Sequence, residues 1–262
     1  MSLIKIIFLG FIQGITEFFP VSSSGHLVLI QNLLGLKEPQ LLVDVMLHLG
    51  TVISLLLFLR KEIKEIITGL FRFLKKPSFK NDDPSLRLVC SLLIASIPTF
   101  LMGYFFSPFF ESLFSSPRAV SAALFITAVF LFLTRYAKQR KVRIPIHPFI
   151  IGVLQGAAIV PGFSRSGLTI GGALLLGWKR QKAARFSFLL SIPAILGASF
   201  FQLQKSEISA QPWGLIILGV IIAALTGYLS LVFLVKVINR GQFFLFSYYC
   251  AAAAVLGIIF TM

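Results

Sequence analysis

Two glycine- and serine-rich segments hold most of the side chains in this chain that are suited to chemistry on a phosphate. They cover residues 10–26 and 152–167, and at a constant offset of 142 positions six residues of one match six of the other. The matched residues are Gly10, Gln13, Gly14, Ser22, Ser24 and Gly25, with Gly152, Gln155, Gly156, Ser164, Ser166 and Gly167. Together the segments carry a carboxylate, an imidazole, a guanidinium and several hydroxyls, so we interpret them as the functional centre.

The first segment contains the candidates for proton transfer and nucleophilic attack. Glu17 interrupts an apolar stretch, where an unpaired carboxylate is costly, so it is expected to face a cavity and to have a partner. His26 follows three serines and a glycine. An imidazole in that position can accept a proton from a serine or attack phosphorus itself.

Arg165 is the strongest candidate of the second segment. It lies between Ser164 and Ser166 and is flanked by Gly162 and Gly167. Its fork of N–H donors suits bidentate binding of phosphate oxygens, and the glycines allow close approach of the backbone. A helix that begins near Ser166 would point its amide dipoles at the same place.

Other reactive side chains are interpreted more simply. We expect His48 and His147 to be structural histidines, while Asp44 is either an interfacial residue or one that lines the site. Cys90 and Cys250 each lie inside an apolar run, which gives little support to a disulfide or a metal pair.

The composition is that of a polytopic membrane protein. Of the 262 residues, 57% are hydrophobic and only 13% are charged, with a mean hydropathy of +0.92. The net charge of +15 does not indicate nucleic acid binding, because the basic residues cluster in short loops between apolar runs. Such loops are typical of the cytoplasmic side of a membrane.

Six apolar stretches are long enough to cross a bilayer as helices. They lie near 41–59, 86–106, 117–135, 183–203, 212–234 and 243–261. Two further apolar regions, about 3–35 and 147–177, are broken by the glycine- and serine-rich segments, so each is predicted to form a re-entrant helix pair.

The loop charges predict that the two re-entrant pairs are inverted with respect to each other. If the basic loops face the cytoplasm, the first pair enters from outside, three crossings follow, and the second pair enters from inside. We therefore expect an all-α integral membrane protein with an inverted repeat around a buried polar site. It would form a single domain over 1–262, with one repeat over about 1–140 and the other over about 145–262.

At this point the motifs resemble those of the undecaprenyl-diphosphate phosphatase family, the bacitracin-resistance membrane phosphatases. The matching motifs are Gln13-Gly-Ile-Thr-Glu17, Pro20-Val-Ser-Ser-Ser-Gly-His26 and the run from Pro161 to Thr169. The resemblance covers essentially the whole chain. It implies removal of the terminal phosphate of the C55 isoprenoid diphosphate carrier, which regenerates the monophosphate for peptidoglycan synthesis and confers bacitracin resistance.

The resemblance also assigns roles to residues. Glu17, Ser23, His26 and Arg165 would be catalytic, with either Ser23 or His26 as the nucleophile. A divalent cation, Mg²⁺ or Ca²⁺, would be held by Glu17, with Gln13 and Asp44 as further candidates. The residues expected to contact the substrate are Ser22, Ser24, Gly25, Gly162, Ser164, Ser166, Gly167 and Thr169.

The expected partners are a polyprenyl diphosphate and membrane lipids, without nucleic acid, and the family also implies a homodimer. We expect a multi-pass protein of the bacterial cytoplasmic membrane whose site faces outward. The main alternative is a polyprenyl-phosphate flippase that uses the same groups for binding only. Glu17, Ser23 and His26 favour hydrolysis, because carriage requires only charge complementarity. A purely structural membrane protein would leave the buried Arg165 unexplained.

Overall fold

The chain folds as a bundle of helices in the computed structural model, which describes residues 2–34, 41–75, 83–114, 116–140, 145–204 and 212–259. These residues contain eleven α-helices, two short 3₁₀ turns at Thr134–Tyr136 and Phe243–Leu245, and no strand. The helices are α1 Leu3–Thr16, α2 Ser23–Leu33, α3 Leu41–Phe58, α4 Arg60–Lys75, α5 Pro84–Phe114, α6 Pro117–Leu133, α7 His147–Ala157, α8 Arg165–Leu175, α9 Arg180–Gln204, α10 Trp213–Asn239 and α11 Phe246–Ile259.

Five helical segments in the described part of the chain are long and apolar enough to cross a membrane. They are Leu41–Phe58, Pro84–Phe106, Arg118–Tyr136, Arg180–Gln204 and Trp213–Asn239. The sixth predicted crossing, 243–261, corresponds to a shorter apolar helix over Phe243–Ile259. An all-helical membrane protein is therefore confirmed, while the sixth crossing stays a prediction.

The two glycine- and serine-rich segments break helices as predicted. Between α1 and α2 the chain is non-helical at 17–22, and between α7 and α8 at 158–164. α1 has 14 residues and α7 has 11, so at a rise of 1.5 Å per residue neither reaches across about 30 Å of hydrocarbon. In each segment the helix therefore ends before it could cross the full thickness of a membrane.

Matched glycines let each broken segment pack against a long helix from the other half of the chain. α1 packs on α10, and a Cβ added at Gly10 would lie 2.7 Å from the carbonyl oxygen of Gly219. α7 packs on α5, and a Cβ added at Gly152 would lie 2.1 Å from the carbonyl oxygen of Ala95. The first helix of each half thus packs against a long helix of the other half, so the two halves exchange equivalent contacts.

Substituting Gly152 by alanine is expected to lower stability by about 1–3 kcal/mol, because the new methyl group would overlap backbone that has little room to move. The thermal unfolding midpoint of the protein in detergent measures this. Gly197→Ala is the matched control, since nothing lies within 4 Å of a Cβ added inside α9. A midpoint for Gly152→Ala equal to that of Gly197→Ala would contradict the close contact between α7 and α5.

The basic segment after α3 is predicted from sequence to be a loop between two membrane crossings, but it is helical. Residues 60–75 form α4, an amphipathic helix that leaves large apolar side chains exposed on one side and basic side chains on the other. The exposed apolar residues are Ile67, Leu70, Phe71 and Leu74. Arg72 pairs with Asp83 at 3.5 Å, and Gly69 packs against Ser85 at the start of α5. Such a helix suits the membrane surface rather than a soluble loop.

Candidate active site

Glu17 is the centre of a cluster of polar side chains between the two broken segments. Its Oε1 accepts a hydrogen bond from Nη2 of Arg165, 148 residues away in the sequence. Its Oε2 accepts hydrogen bonds from Nε2 of Gln13 at 2.9 Å and from Oγ of Ser23 at 2.8 Å, and lies 3.4 Å from Nε2 of His48. The predicted encounter of the carboxylate with the guanidinium is therefore present.

Local helix geometry positions both charged groups. Glu17 directly follows α1, and its N–H donates to the carbonyl of Gln13 at 3.0 Å, which keeps its side chain on the same face as Gln13. Arg165 is the first residue of α8. The Glu17 side chain is 4% exposed and that of Arg165 is 19% exposed, so both charged groups lie largely inside the protein.

The serines beside Arg165 tie the two segments together. Oγ of Ser164 accepts a hydrogen bond from the N–H of Gly167 at 3.1 Å and so caps α8. Oγ of Ser166 donates to the carbonyl of Phe19 in the first segment at 3.1 Å. A Cβ added at Gly167 would lie 3.2 Å from Cβ of Pro20. These predicted substrate contacts therefore also fix the distance between Glu17 and Arg165.

Two other predicted contacts of the second segment have structural partners. Thr169 is fully buried. Its hydroxyl donates to the carbonyl of Arg165 at 2.8 Å and lies 2.5 Å from Oγ of Ser187. Gly162 has a φ of +96°, and an added Cβ there would lie 2.1 Å from the carbonyl oxygen of Val120. Thr169 therefore turns its hydroxyl toward α9 rather than toward Glu17.

Four buried polar atoms of the two glycine- and serine-rich segments have no hydrogen-bond partner among the described residues. They are Nη1 of Arg165, Oγ of Ser22, Oε1 of Gln13 and Oε1 of Gln155. Ser22 also has a φ of +68°, a conformation that costs a non-glycine residue about 1–3 kcal/mol. Buried unpaired donors beside a strained residue are expected where a ligand completes the hydrogen bonds.

Next to Ser22 in the first segment, Ser24 and Gly25 form the first turn of α2 and are half-buried. A Cβ added at Gly25 would lie 3.4 Å from Oγ of Ser22. Gly25 thus lies within van der Waals range of the buried, unpaired hydroxyl of Ser22.

His26 belongs to the cluster but does not donate to Glu17. Its Nδ1 lies 2.8 Å from the carbonyl oxygen of Ser22, and its Nε2 lies 2.5 Å from the hydroxyl of Tyr249 on α11. The two rings stack with centroids 5.8 Å apart and planes inclined by 17°. Both ring nitrogens of the predicted catalytic histidine therefore have partners.

His48 lies at the site, although the sequence suggests only a structural role. Its Nδ1 contacts the carbonyl oxygen of Asp44 at 2.7 Å, one turn earlier on α3, and its Nε2 faces Glu17. The carboxylate of Asp44 accepts a hydrogen bond from Nε2 of Gln31 at 2.5 Å. His147 is structural as expected, because its Nδ1 accepts a hydrogen bond from Trp178 at 3.0 Å.

A cavity of about 600 Å³ lies behind the first segment, between α10 and α11. Its lining is Ile15, Thr16, Phe19, Val21, Phe233, Lys236, Val237, Arg240, Gln242, Leu245, Phe246 and Tyr249. Most of these side chains are apolar, and Lys236 and Arg240 provide positive charge at the end of α10. A cavity of this size and composition is typical of sites that bind small apolar or amphipathic molecules.

Comparison with known proteins shows the family of the chain. Residues 6–256 match the family model described as bacitracin resistance protein BacA. An undecaprenyl-diphosphatase from Halothermothrix orenii is 41% identical over 266 residues, covering 99% of this chain and 98% of the relative. One from Carboxydothermus hydrogenoformans is 42% identical, covering 95% and 94%, and one from Methanococcus vannielii is 39% identical, covering 97% and 98%. The chain belongs to the BacA family of bacitracin-resistance proteins.

Proposed function

We propose that this protein hydrolyses undecaprenyl diphosphate to undecaprenyl phosphate and inorganic phosphate, the activity for which its relatives are named. The chain is an undecaprenyl-diphosphatase of the membrane, and its reaction recycles the lipid carrier for peptidoglycan synthesis and confers bacitracin resistance. The relatives' names favour this activity over a lipid-phosphate flippase. The observation that carries the proposal is the meeting of Glu17, Ser23 and Arg165 from two distant segments.

The unpaired donors of the site suit a diphosphate. Nη1 of Arg165 and Oγ of Ser22 are buried without partners among the described residues, and phosphate oxygens would supply the missing acceptors. Arg165 would then stabilise the negative charge that develops on the phosphoryl group during transfer. The isoprenoid chain would leave this polar site along apolar surface, for which the cavity beside Phe19 and Phe246 is the candidate.

Ser23 is the better placed nucleophile. Its hydroxyl already donates to Oε2 of Glu17, whereas both ring nitrogens of His26 are engaged by Ser22 and Tyr249. In the proposed first step, Oγ of Ser23 bonds to the terminal phosphorus, its proton passes to Glu17, and the anhydride P–O bond breaks to release undecaprenyl phosphate. Water then hydrolyses the phosphoserine and releases inorganic phosphate.

The test uses purified protein in detergent and measures phosphate release from a polyprenyl diphosphate. Ser23→Ala is expected to lower the rate roughly 100-fold or more, because the attacking oxygen is lost. Ser85→Ala, at the start of α5, is the matched control and should retain the rate of the wild type. If Ser23→Ala retained that rate, the serine mechanism would be wrong, and if the wild type released no phosphate, the proposed function would be wrong.

A divalent cation is part of the proposal. Glu17 and the unpaired Oε1 of Gln13 are oxygen donors of the kind that Mg²⁺ and Ca²⁺ prefer. Among the described residues, no three His, Cys, Asp or Glu side chains converge to hold a metal ion, so the diphosphate would supply further ligands. When bound, the ion neutralises phosphate charge. Asp44 is the third candidate ligand, and Oδ1 of its carboxylate accepts a hydrogen bond from Gln31.

Gln13→Glu tests this metal site, because it places a second carboxylate beside Glu17. We expect the variant to reach half-maximal activity at a lower Mg²⁺ concentration, since carboxylates bind hard cations more tightly than amides do. The measurement is a Mg²⁺ titration of chelator-treated protein. Gln181→Glu, at an exposed position of α9, is the control. An unchanged titration curve for Gln13→Glu would contradict a role for this side chain in metal binding.

The finer architecture is also proposed. The exchanged contacts of α1 with α10 and of α7 with α5 support inverted repeats with six crossings, in which the C-terminal helix completes the sixth. The positions of the basic loops support a site that opens toward the outer face of the cytoplasmic membrane. A homodimer is proposed from the family resemblance.

A further inference from the structure

Tyr249 lies at the active site although it belongs to neither broken segment. It is on α11, 223 residues after His26, and its hydroxyl lies 2.5 Å from Nε2 of that histidine. The rings also stack at a centroid distance of 5.8 Å. Tyr249 also lines the cavity between α10 and α11.

The partners of His26 define its proton positions. The carbonyl oxygen of Ser22 can only accept, so Nδ1 of His26 carries a hydrogen and donates to it. In the neutral ring Nε2 then has a lone pair, which accepts a hydrogen bond from the hydroxyl of Tyr249. The carbonyl of Ser22 therefore selects the tautomer, and Tyr249 holds the imidazole in one orientation.

The hydrogen bond from His26 to Ser22 also affects the position of Ser23, the proposed nucleophile. His26 holds the carbonyl of Ser22, whose φ of +68° is a strained conformation, and Ser23 follows directly. A rotation of the Ser22 peptide would move the Ser23 hydroxyl away from Glu17, which it contacts at 2.8 Å. The order of contacts is thus Tyr249, His26, the Ser22 carbonyl and then Ser23.

We propose that Tyr249 is a positioning residue of this phosphatase, which fixes His26 and through it the turn that presents Ser23 to Glu17. This proposal rests on the proposed function. It concerns turnover rather than affinity, because Arg165 and Ser22, not Tyr249, are the proposed phosphate ligands. Tyr249→Phe is therefore expected to lower kcat roughly tenfold, the worth of about one hydrogen bond, while KM stays near that of the wild type.

Tyr248→Phe is the matched control, because it removes the same hydroxyl from the preceding residue, whose side chain is exposed. We expect it to retain the kcat of the wild type. Tyr249→Phe should also leave the thermal unfolding midpoint within a few degrees of the wild type. A loss of activity that tracked a loss of stability, or that Tyr248→Phe shared, would overturn the proposal.

A double-mutant cycle separates positioning through His26 from an independent effect. In the His26→Ala background, Tyr249→Phe is expected to cause no further loss of residual activity, because its only proposed target is gone. The same roughly tenfold loss in both backgrounds would contradict action through His26.

Nuclear magnetic resonance of protein with ¹⁵N-labelled histidine provides a readout that does not depend on activity. The wild type is expected to show the His26 tautomer with hydrogen on Nδ1 and a hydrogen-bonded Nε2, and Tyr249→Phe to show a shifted Nε2 resonance because that hydrogen bond is lost. Identical spectra for the two proteins would overturn the proposal. If the wild type released no phosphate, the proposed function would fail, whereas the spectra would still decide whether Tyr249 fixes His26.

Discussion

Replacing Arg165 by alanine is expected to lower kcat/KM by roughly two to three decades, equivalent to about 3–4 kcal/mol of transition-state stabilisation. Two losses contribute. The variant lacks the proposed bidentate contact to the phosphoryl group, and it leaves the buried carboxylate of Glu17 without the cation that faces it. Steady-state phosphate release from a polyprenyl diphosphate measures the effect.

Two variants sharpen this prediction. Arg165→Lys keeps the charge but not the planar fork, so its kcat/KM is expected to lie between those of the wild type and Arg165→Ala. Arg185→Ala is the control, because it removes the same charge from an exposed side chain that pairs with Glu62 at 3.1 Å. If Arg165→Ala kept near-normal turnover, the guanidinium would not stabilise the reaction.

Glu17→Gln is expected to reduce kcat by roughly two to four decades, the range found for the loss of a general base. The amide has the size of the carboxylate but takes no proton from Ser23 and no longer neutralises Arg165. A kcat reduced much more than KM is therefore the expected pattern. Rapid-quench kinetics with a polyprenyl diphosphate separates the chemical step from product release.

Glu65→Gln on α4 is the control for charge, because that side chain is exposed and remote from the site. The wild-type kcat is expected for this variant. A Glu17→Gln variant that turned over at the same rate as Glu65→Gln would show that the carboxylate takes no part in proton transfer.

The break in each glycine- and serine-rich segment and the encounter of Glu17 with Arg165 could be predicted from sequence because the constraints are severe. A carboxylate and a guanidinium in apolar surroundings must each find a partner, and 148 residues separate them. The repeated glycines at a fixed offset indicated two similar elements, and Gly10 and Gly152 do pack closely against long helices.

Other parts of the site could not be predicted because only tertiary packing creates them. His48 reaches Glu17 from the middle of α3, a helix whose sequence is otherwise typical of a membrane span. Tyr249 lies in an aromatic run in which every ring suits lipid equally well. The one signal available for His48 was its position four residues after Asp44, which places both on the same face of α3.

The hydroxyls of the second segment show the limit of assigning roles by residue type. Ser164, Ser166 and Thr169 are chemically suited to phosphate, yet their hydroxyls cap α8, bind the carbonyl of Phe19 and contact Ser187. Composition alone does not separate these uses. Ser22, with its strained backbone and unpaired hydroxyl, is the better candidate for a substrate contact.

The most direct test of a single site built from both segments is the double-mutant cycle of Glu17→Gln and Arg165→Ala, with kcat/KM as the readout. Since the two side chains contact each other and act in one step, we expect the double variant to lose little more activity than the worse single variant. Losses that multiply, so that the double variant falls by the product of the two single effects, would contradict a shared site.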